Sequence, residues 1–293
     1  MIYLWSLLLG IVEGVTEFLP VSSTAHLRLA EAMFKLPLHE PFWKVYTVVI
    51  QLGAILCLPV YFRKEIVRFL RTFPRGEGGT KTVFTHPLTL TMIAFVVTAI
   101  PSYFLSKKIG ENLDNFKVIG GALLIGGAVM WAVDALFTRP TTVLMDNMSL
   151  SQAIWIGAVQ ILSAVFPGTS RSMATIAAGQ VAGLSRSAAL EFSFFLSMPT
   201  MLAATLFALK RAVLPGHAEL PAGVATAAFS PGHMTGEQWI VLLIGFVVSF
   251  FVAWGVVAWF MAWVRRRGFV PFAIYRIIVG LGVLIWLYRH GGT

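Results

Sequence analysis

Charge is scarce in this chain. Of its 293 residues only 12% are Asp, Glu, Lys or Arg, while 57% are hydrophobic and the mean hydropathy is +0.80. A soluble domain carries about 25% charged residues, so an ordinary soluble fold is excluded. Cysteine is nearly absent. Cys57 stands alone in an apolar run, which rules out an intrachain disulfide and a multi-cysteine metal site. The opening MIYLWSLLLG has no basic stretch and no clear small-residue cleavage site, so a removed signal peptide is not expected. There is no low-complexity tract. Acidic residues are outnumbered by basic ones, 13 against 22, for a net charge of +9. In a membrane protein such loop Lys and Arg report orientation rather than nucleic-acid binding.

What the chain has instead is apolar runs that approach or exceed the roughly 20 residues needed to span a bilayer core. Ten helices are predicted, at 1–19, 22–36, 42–62, 87–107, 116–137, 151–166, 168–184, 190–209, 239–264 and 270–288. The expected fold is a single all-α polytopic membrane domain over 1–293. The first and second helices are short, as are the sixth and seventh, and each pair is broken by a proline, Pro20 or Pro167. Short, Pro- or Gly-interrupted segments at matching places in two halves point to a binding site in an inverted-repeat fold. The halves match at an offset of 147: Gly10 pairs with Gly157, Val12 with Val159, Pro20 with Pro167 and Ser23 with Ser170. Further on, the run from Ile93 (IAFVVT) resembles that from Ile244 (IGFVVS). Two repeats are therefore expected, about 1–137 and 151–288. Each would hold one re-entrant hairpin and three spanning helices.

The basic loop from Arg63 to Lys81 and the run Arg265–Arg266–Arg267 should be cytoplasmic. Counting from them, the first hairpin dips from outside and the second from inside. The stretch Arg63 to Arg71 is amphipathic and suited to lying on anionic lipid heads. The Pro/Gly/Ala-rich segment 213–237 reads as a surface loop, with His217 and His233 incidental.

Two polar islands interrupt the apolar background. The first runs Glu13-Gly-Val-Thr-Glu17-Phe-Leu-Pro20-Val-Ser22-Ser23-Thr24-Ala25-His26. Ionisable groups at membrane depth are costly and mark function by default. Glu13 and Glu17, at i and i+4, share a helix face. They could hold a divalent cation together with substrate phosphates, or divide acid and base roles. Ser22, Ser23 and Thr24 stand where a new helix begins and suit capping. His26 lies three residues after Ser23, close enough to form a minimal Ser–His nucleophile pair. In the second island, Pro167-Gly168-Thr169-Ser170-Arg171-Ser172-Met173-Ala174-Thr175, Gly168 permits a tight turn. The helix that follows would present free N–H donors to an anion. Arg171 adds a planar cation suited to phosphate oxygens, and Thr169, Ser170, Ser172 and Thr175 add hydroxyls. Joined, the islands would make a site for phosphoryl transfer on a lipid phosphate. The phosphatidic-acid-phosphatase type of lipid phosphatase needs a distant His-x-x-x-Asp after its Ser-Arg, and no such pattern exists here.

On these two motifs, with support from the stretches starting at Val49 (VIQLGA), Glu191 (EFSF) and Pro271 (PFAIYR), nearly the whole chain resembles the undecaprenyl-diphosphate phosphatase family, the bacterial bacitracin-resistance type. The resemblance implies dephosphorylation of undecaprenyl diphosphate at the outer face of the plasma (inner) membrane of a bacterium. It also implies a divalent cation, Mg²⁺ first and Ca²⁺ second. It assigns Glu13 and Glu17 to the acidic motif, Ser23 to the nucleophile, His26 to the nearby histidine and Arg171 to the diphosphate-binding arginine; by their own chemistry Ser170, Ser172, Thr175, Gly168, Thr24 and Ser22 are expected around that diphosphate. Ala25 and Met173 stand where Gly is usual, which bears on chain preference or rate. Either His26 or Glu17 would handle the proton, and direct attack by water with Ser23 as a ligand stays open. The rival reading is a polyprenyl-phosphate transporter or flippase using the same anion cradle. Expected partners are the lipid substrate, the bilayer and, as an open assembly, a second copy of the chain; nucleic acid is not among them.

Overall fold

The computed structural model describes residues 1–34, 36, 40–113, 115–213 and 234–290. These residues form twelve α-helices, and no strand occurs among them. In chain order the helices are α1 Ile2–Thr16, α2 Ser23–Phe34, α3 Pro41–Tyr61, α4 Arg63–Thr72, α5 Pro87–Phe104, α6 Ser106–Asn112, α7 Phe116–Leu136, α8 Leu150–Val165, α9 Arg171–Val181, α10 Arg186–Val213, α11 Gly236–Arg267 and α12 Val270–Arg289. Most of the surface-loop expectation at 213–237, with both its histidines, lies outside the described residues.

Local chemistry explains many of the boundaries. Ser149 with Gln152 and Thr235 with Gln238 form capping boxes that start α8 and α11. Asn115 caps α7 by accepting from the amides of Lys117 and Val118. Proline opens α3 and α5, where a missing N–H costs nothing. Arg265, Arg266 and Arg267 fill the last turn of α11, the end at which the helix dipole favours cations. The predicted helix over 87–107 ends at Phe104, and α6 follows as a separate short helix after Leu105.

Six helices are long and apolar enough to cross a membrane: α3, α5, α7, α10, α11 and α12. The protein is a multi-pass membrane protein. Its outward faces are apolar, as at Ile125, Leu243, Phe251 and Ile278, because the solvent there is hydrocarbon. Helices α1 and α8 are apolar but only 15 and 16 residues long. At 1.5 Å per residue each reaches about 24 Å at most, short of the ~30 Å hydrocarbon core.

The packing follows pairs. Helix α1 lies along α11, which also packs on α3. Helix α8 lies along α5, which also packs on α10. Helix α7 pairs with α12, and α3 meets α10. Close approach is made by small residues, as is usual where lipid removes the hydrophobic drive between helices. A Cβ on Gly10 would meet the Gly245 carbonyl at 3.0 Å, and one on Gly157 would meet the Ala94 carbonyl at 2.5 Å. At the end of the bundle carrying the basic loops, Arg68 of α4 binds Asp146 at 2.8 Å and Lys81 donates to the Asp146 carbonyl. A second buried knot centres on Asp134 of α7. It accepts from Arg186 Nε at 2.6 Å, from Gln180 at 3.2 Å and from the amide of Phe269 at 3.0 Å, and so ties α7, α9, α10 and the α11–α12 turn.

Candidate active site

The two breaks between short helices are built alike. Ser22 precedes α2 with φ 74°, and its hydroxyl accepts from the amide of Ala25. Ser170 precedes α9 with φ 69°, and its hydroxyl accepts from the amide of Met173. Positive φ is unusual for a residue other than glycine and costs about 1–3 kcal/mol, the kind of strain that gathers at functional sites. From its proline to the next helix start, the second break is one residue longer. Its extra residue is absorbed at Gly168, whose φ of 98° suits glycine and where an added Cβ would meet the Ile119 carbonyl at 2.5 Å. The helix starts therefore match at an offset of 148, so that Ser23 corresponds to Arg171.

Both islands meet. Glu17 sits at the end of α1, one turn after Glu13. One of its carboxylate oxygens accepts from Arg171 Nη2 at 3.1 Å and the other from the Ser23 hydroxyl. The hydroxyl of Ser172 donates to the Leu19 carbonyl at 2.9 Å, holding the start of α9 against the first break. The Arg171 guanidinium also lies over the Phe18 ring at 5.9 Å. Thr175 turns back to the Arg171 carbonyl at 2.9 Å and to the Ser193 hydroxyl of α10 at 2.6 Å. Ser170, Ser172 and Thr175 thus brace the backbone around Arg171. Thr24, in the first turn of α2, is half-buried.

Ser23 is hydrogen-bonded to Glu17 and not to His26. The imidazole is held elsewhere, Nδ1 at 2.7 Å from the Ser22 carbonyl and Nε2 at 2.7 Å from the Tyr275 hydroxyl. The two rings stack at 5.6 Å. Tyr275 is 43% exposed on the outer face of α12, so His26 stands between the site and the lipid. Glu13 is only 1% exposed, and neither of its carboxylate oxygens has a hydrogen-bond partner among the described residues. A buried carboxylate left without donors fits a cation ligand. No group of three or more His, Cys, Asp or Glu side chains able to hold a metal occurs among the described residues. Protein ligation would therefore rest on Glu13 and Glu17.

Two groups at the site were not singled out by spacing, Arg276 and Ser193. Arg276 is fully buried and donates to the carbonyls of Pro20, Ala122 and Gly168 at 3.1, 3.0 and 2.9 Å. A lone arginine within an apolar helix is itself a signal of function. Met173 fills space beside it: a Cβ on Gly126 would meet the Met173 methyl at 2.8 Å. Ala25 packs with Ile119 and Leu123 of α7.

Fold and site together define a polytopic helical membrane protein with a buried centre of carboxylates, hydroxyls and guanidinium groups. Comparison with known proteins narrows this. Residues 6–282 match the family described as bacitracin resistance protein BacA, and the chain belongs to that family. A relative named undecaprenyl-diphosphatase from Koribacter versatilis is 59% identical over 289 residues, 98% of this chain and 99% of that protein. Proteins of the same name from Rhizorhabdus wittichii and Caldanaerobacter subterraneus are 41% and 38% identical. They cover 96% and 94% of this chain and 96% and 93% of their own lengths.

Proposed function

We propose that this protein removes the terminal phosphate of undecaprenyl diphosphate, yielding undecaprenyl phosphate at the outer face of the bacterial plasma membrane. The product is a lipid carrier returned to cell-wall synthesis. The observation that carries the proposal is the Glu17 carboxylate, which joins the Ser23 hydroxyl to the Arg171 guanidinium.

In this reading the Ser23 oxygen attacks the terminal phosphorus as its proton passes to Glu17. The bond from that phosphorus to the bridging oxygen breaks, and undecaprenyl phosphate leaves. Water then attacks the phosphoserine, releasing phosphate and restoring the hydroxyl. Glu17 takes the base role because it already holds the hydroxyl; His26 is held by Ser22 and Tyr275 and orients the start of α2. Arg171 places a fixed cation beside the phosphoryl oxygens, and such preorganised charge is the main resource of phosphoryl-transfer sites. Arg171 is paired with Glu17, and Glu13 adds a second carboxylate with no donor of its own among the described residues, so the site has no free cation to spare. A diphosphate entering it brings unbalanced negative charge. Glu13 and Glu17 would hold a divalent cation, Mg²⁺ before Ca²⁺, which when bound supplies the missing positive charge.

The finer architecture belongs to the same proposal. The two halves, about 1–137 and 151–288, form inverted repeats, with α1–α2 and α8–α9 as re-entrant hairpins. Support comes from the exchanged packing, α1 on α11 and α8 on α5, with Gly10 against Gly245 and Gly157 against Ala94. The like-built serine caps support it too.

The test is phosphate release from purified protein and undecaprenyl diphosphate, with and without Mg²⁺. Ser23→Ala is expected to lower kcat by about 10³-fold or more, the scale on which activated nucleophiles and their bases act. Movement of lipid across a bilayer without phosphate release would establish the transporter reading instead. Undiminished release by Arg171→Ala would remove the guanidinium from the site.

A further inference from the structure

Arg276 heads the fully buried side chains by size, at 0% exposure, and no carboxylate lies within ion-pair distance of it among the described residues. A buried cation without a counter-ion is costly and calls for another reason to be there. Its partners supply one. Pro20 and Gly168 lie in the two helix breaks, where the chain leaves the helical pattern and its carbonyls lose their intrahelical donors. Arg276 donates from Nη1 to the Pro20 carbonyl and from Nη2 to the Gly168 carbonyl, with Ala122 of α7 as the third acceptor. One planar group therefore satisfies both breaks and α7 together.

The spacing links this to the chemistry. Pro20 lies three residues before Ser23, and Gly168 three residues before Arg171. We infer that Arg276 is a positioning residue, a guanidinium clamp that fixes the two breaks relative to each other and so sets the Ser23-to-Arg171 separation on which phosphoryl transfer depends. A lysine keeps the charge, but its donors radiate from one nitrogen and cannot span three carbonyls as a rigid fork does. Room for the fork comes from Gly126 of α7, where an added Cβ would run into Nη2. Tyr275, the preceding residue, holds His26 through its hydroxyl. A single turn of α12 thus references both the helix that carries Ser23 and the break that leads into Arg171.

The inference rests on the phosphatase reading, and the experiment separates the two. Arg276→Lys, Arg276→Gln and Gly126→Ala are purified alongside the parent protein. Steady-state phosphate release and amide hydrogen exchange over segments 18–24 and 166–172 are measured for each. Misplacement of reacting groups by about 1 Å costs on the order of 100-fold in rate. The expected result is therefore a fall in kcat of about that size with KM little changed, and faster exchange in both segments together. Gly126→Ala, which keeps every charge and every donor, should reproduce both effects by displacing the fork. Parent-like kcat in Arg276→Lys would overturn the clamp, as would exchange that rises in one segment alone. A parent protein that releases no phosphate would sink the phosphatase reading, and the exchange data would still decide the clamp.

Discussion

The Glu17–Arg171 pair can be weighed directly. Its atoms are 3.1 Å apart, and the side chains are 5% and 12% exposed. An exposed ion pair contributes about 0–1 kcal/mol, whereas breaking a buried one strands a charge and costs about 3–5 kcal/mol. The burial puts this pair in the second class. Glu17→Gln keeps the shape and an acceptor for Ser23 but leaves Arg171 uncompensated; Arg171→Met keeps length and apolar volume but strands Glu17. Each single change is expected to lower stability by about 3 kcal/mol. The double variant strands neither charge, so its loss should fall short of the sum by about 2–3 kcal/mol. Reversible unfolding in mixed detergent micelles, followed by tryptophan fluorescence, measures all four corners of the cycle. Activity should show a different pattern. Loss of a general base costs about 10²–10⁴-fold, and residues acting as a unit do not add, so the double variant should be no slower than the worse single. Stability losses that add to within about 0.5 kcal/mol would refute the bridge.

Two further outcomes follow from packing and from the lipid side of the site. Gly157→Ala drives a Cβ to 2.5 Å from the Ala94 carbonyl and should destabilise the protein by about 1–3 kcal/mol, whereas Gly121→Ala, with nothing within 4 Å, should be neutral or slightly stabilising. Thermal unfolding of the two variants side by side checks this. Tyr275→Phe removes the hydroxyl on His26 and keeps the ring stack, so kcat/KM should fall by no more than about tenfold, one hydrogen bond's worth; a loss beyond a hundredfold would place Tyr275 in the chemistry itself.

Periodicity and proline made the helices legible, and the polar islands announced themselves by being costly in a membrane. Pro20 and Pro167 mark real breaks, and α2 and α9 begin just after them. Spacing went astray where side-chain direction decides. Three residues along a helix put His26 near Ser23, but its ring turns to the Ser22 carbonyl and to Tyr275, and Glu17 reaches Ser23 from across the break. An ungapped match at an offset of 147 hides the one additional residue between Pro167 and the start of α9. That residue moves the partner of Ser23 from Ser170 to Arg171, so a hydroxyl in one half answers to a cation in the other. Arg276 was harder still. Its acceptors are main-chain carbonyls, which carry no residue-type signature, and the contacts span up to 256 positions.

The serine caps have a consequence for how this protein will answer to mutation. Each hydroxyl satisfies the third amide of its helix. The amides of Ser23 and Thr24, and of Arg171 and Ser172, then have no acceptor among the described residues. Four N–H groups at the head of two short helices thus keep their hydrogen-bonding capacity unspent. Replacing Thr24 or Arg171 with alanine removes none of these N–H groups. An alanine scan therefore reports on the side chains at these two helix starts and leaves their main-chain donors unprobed.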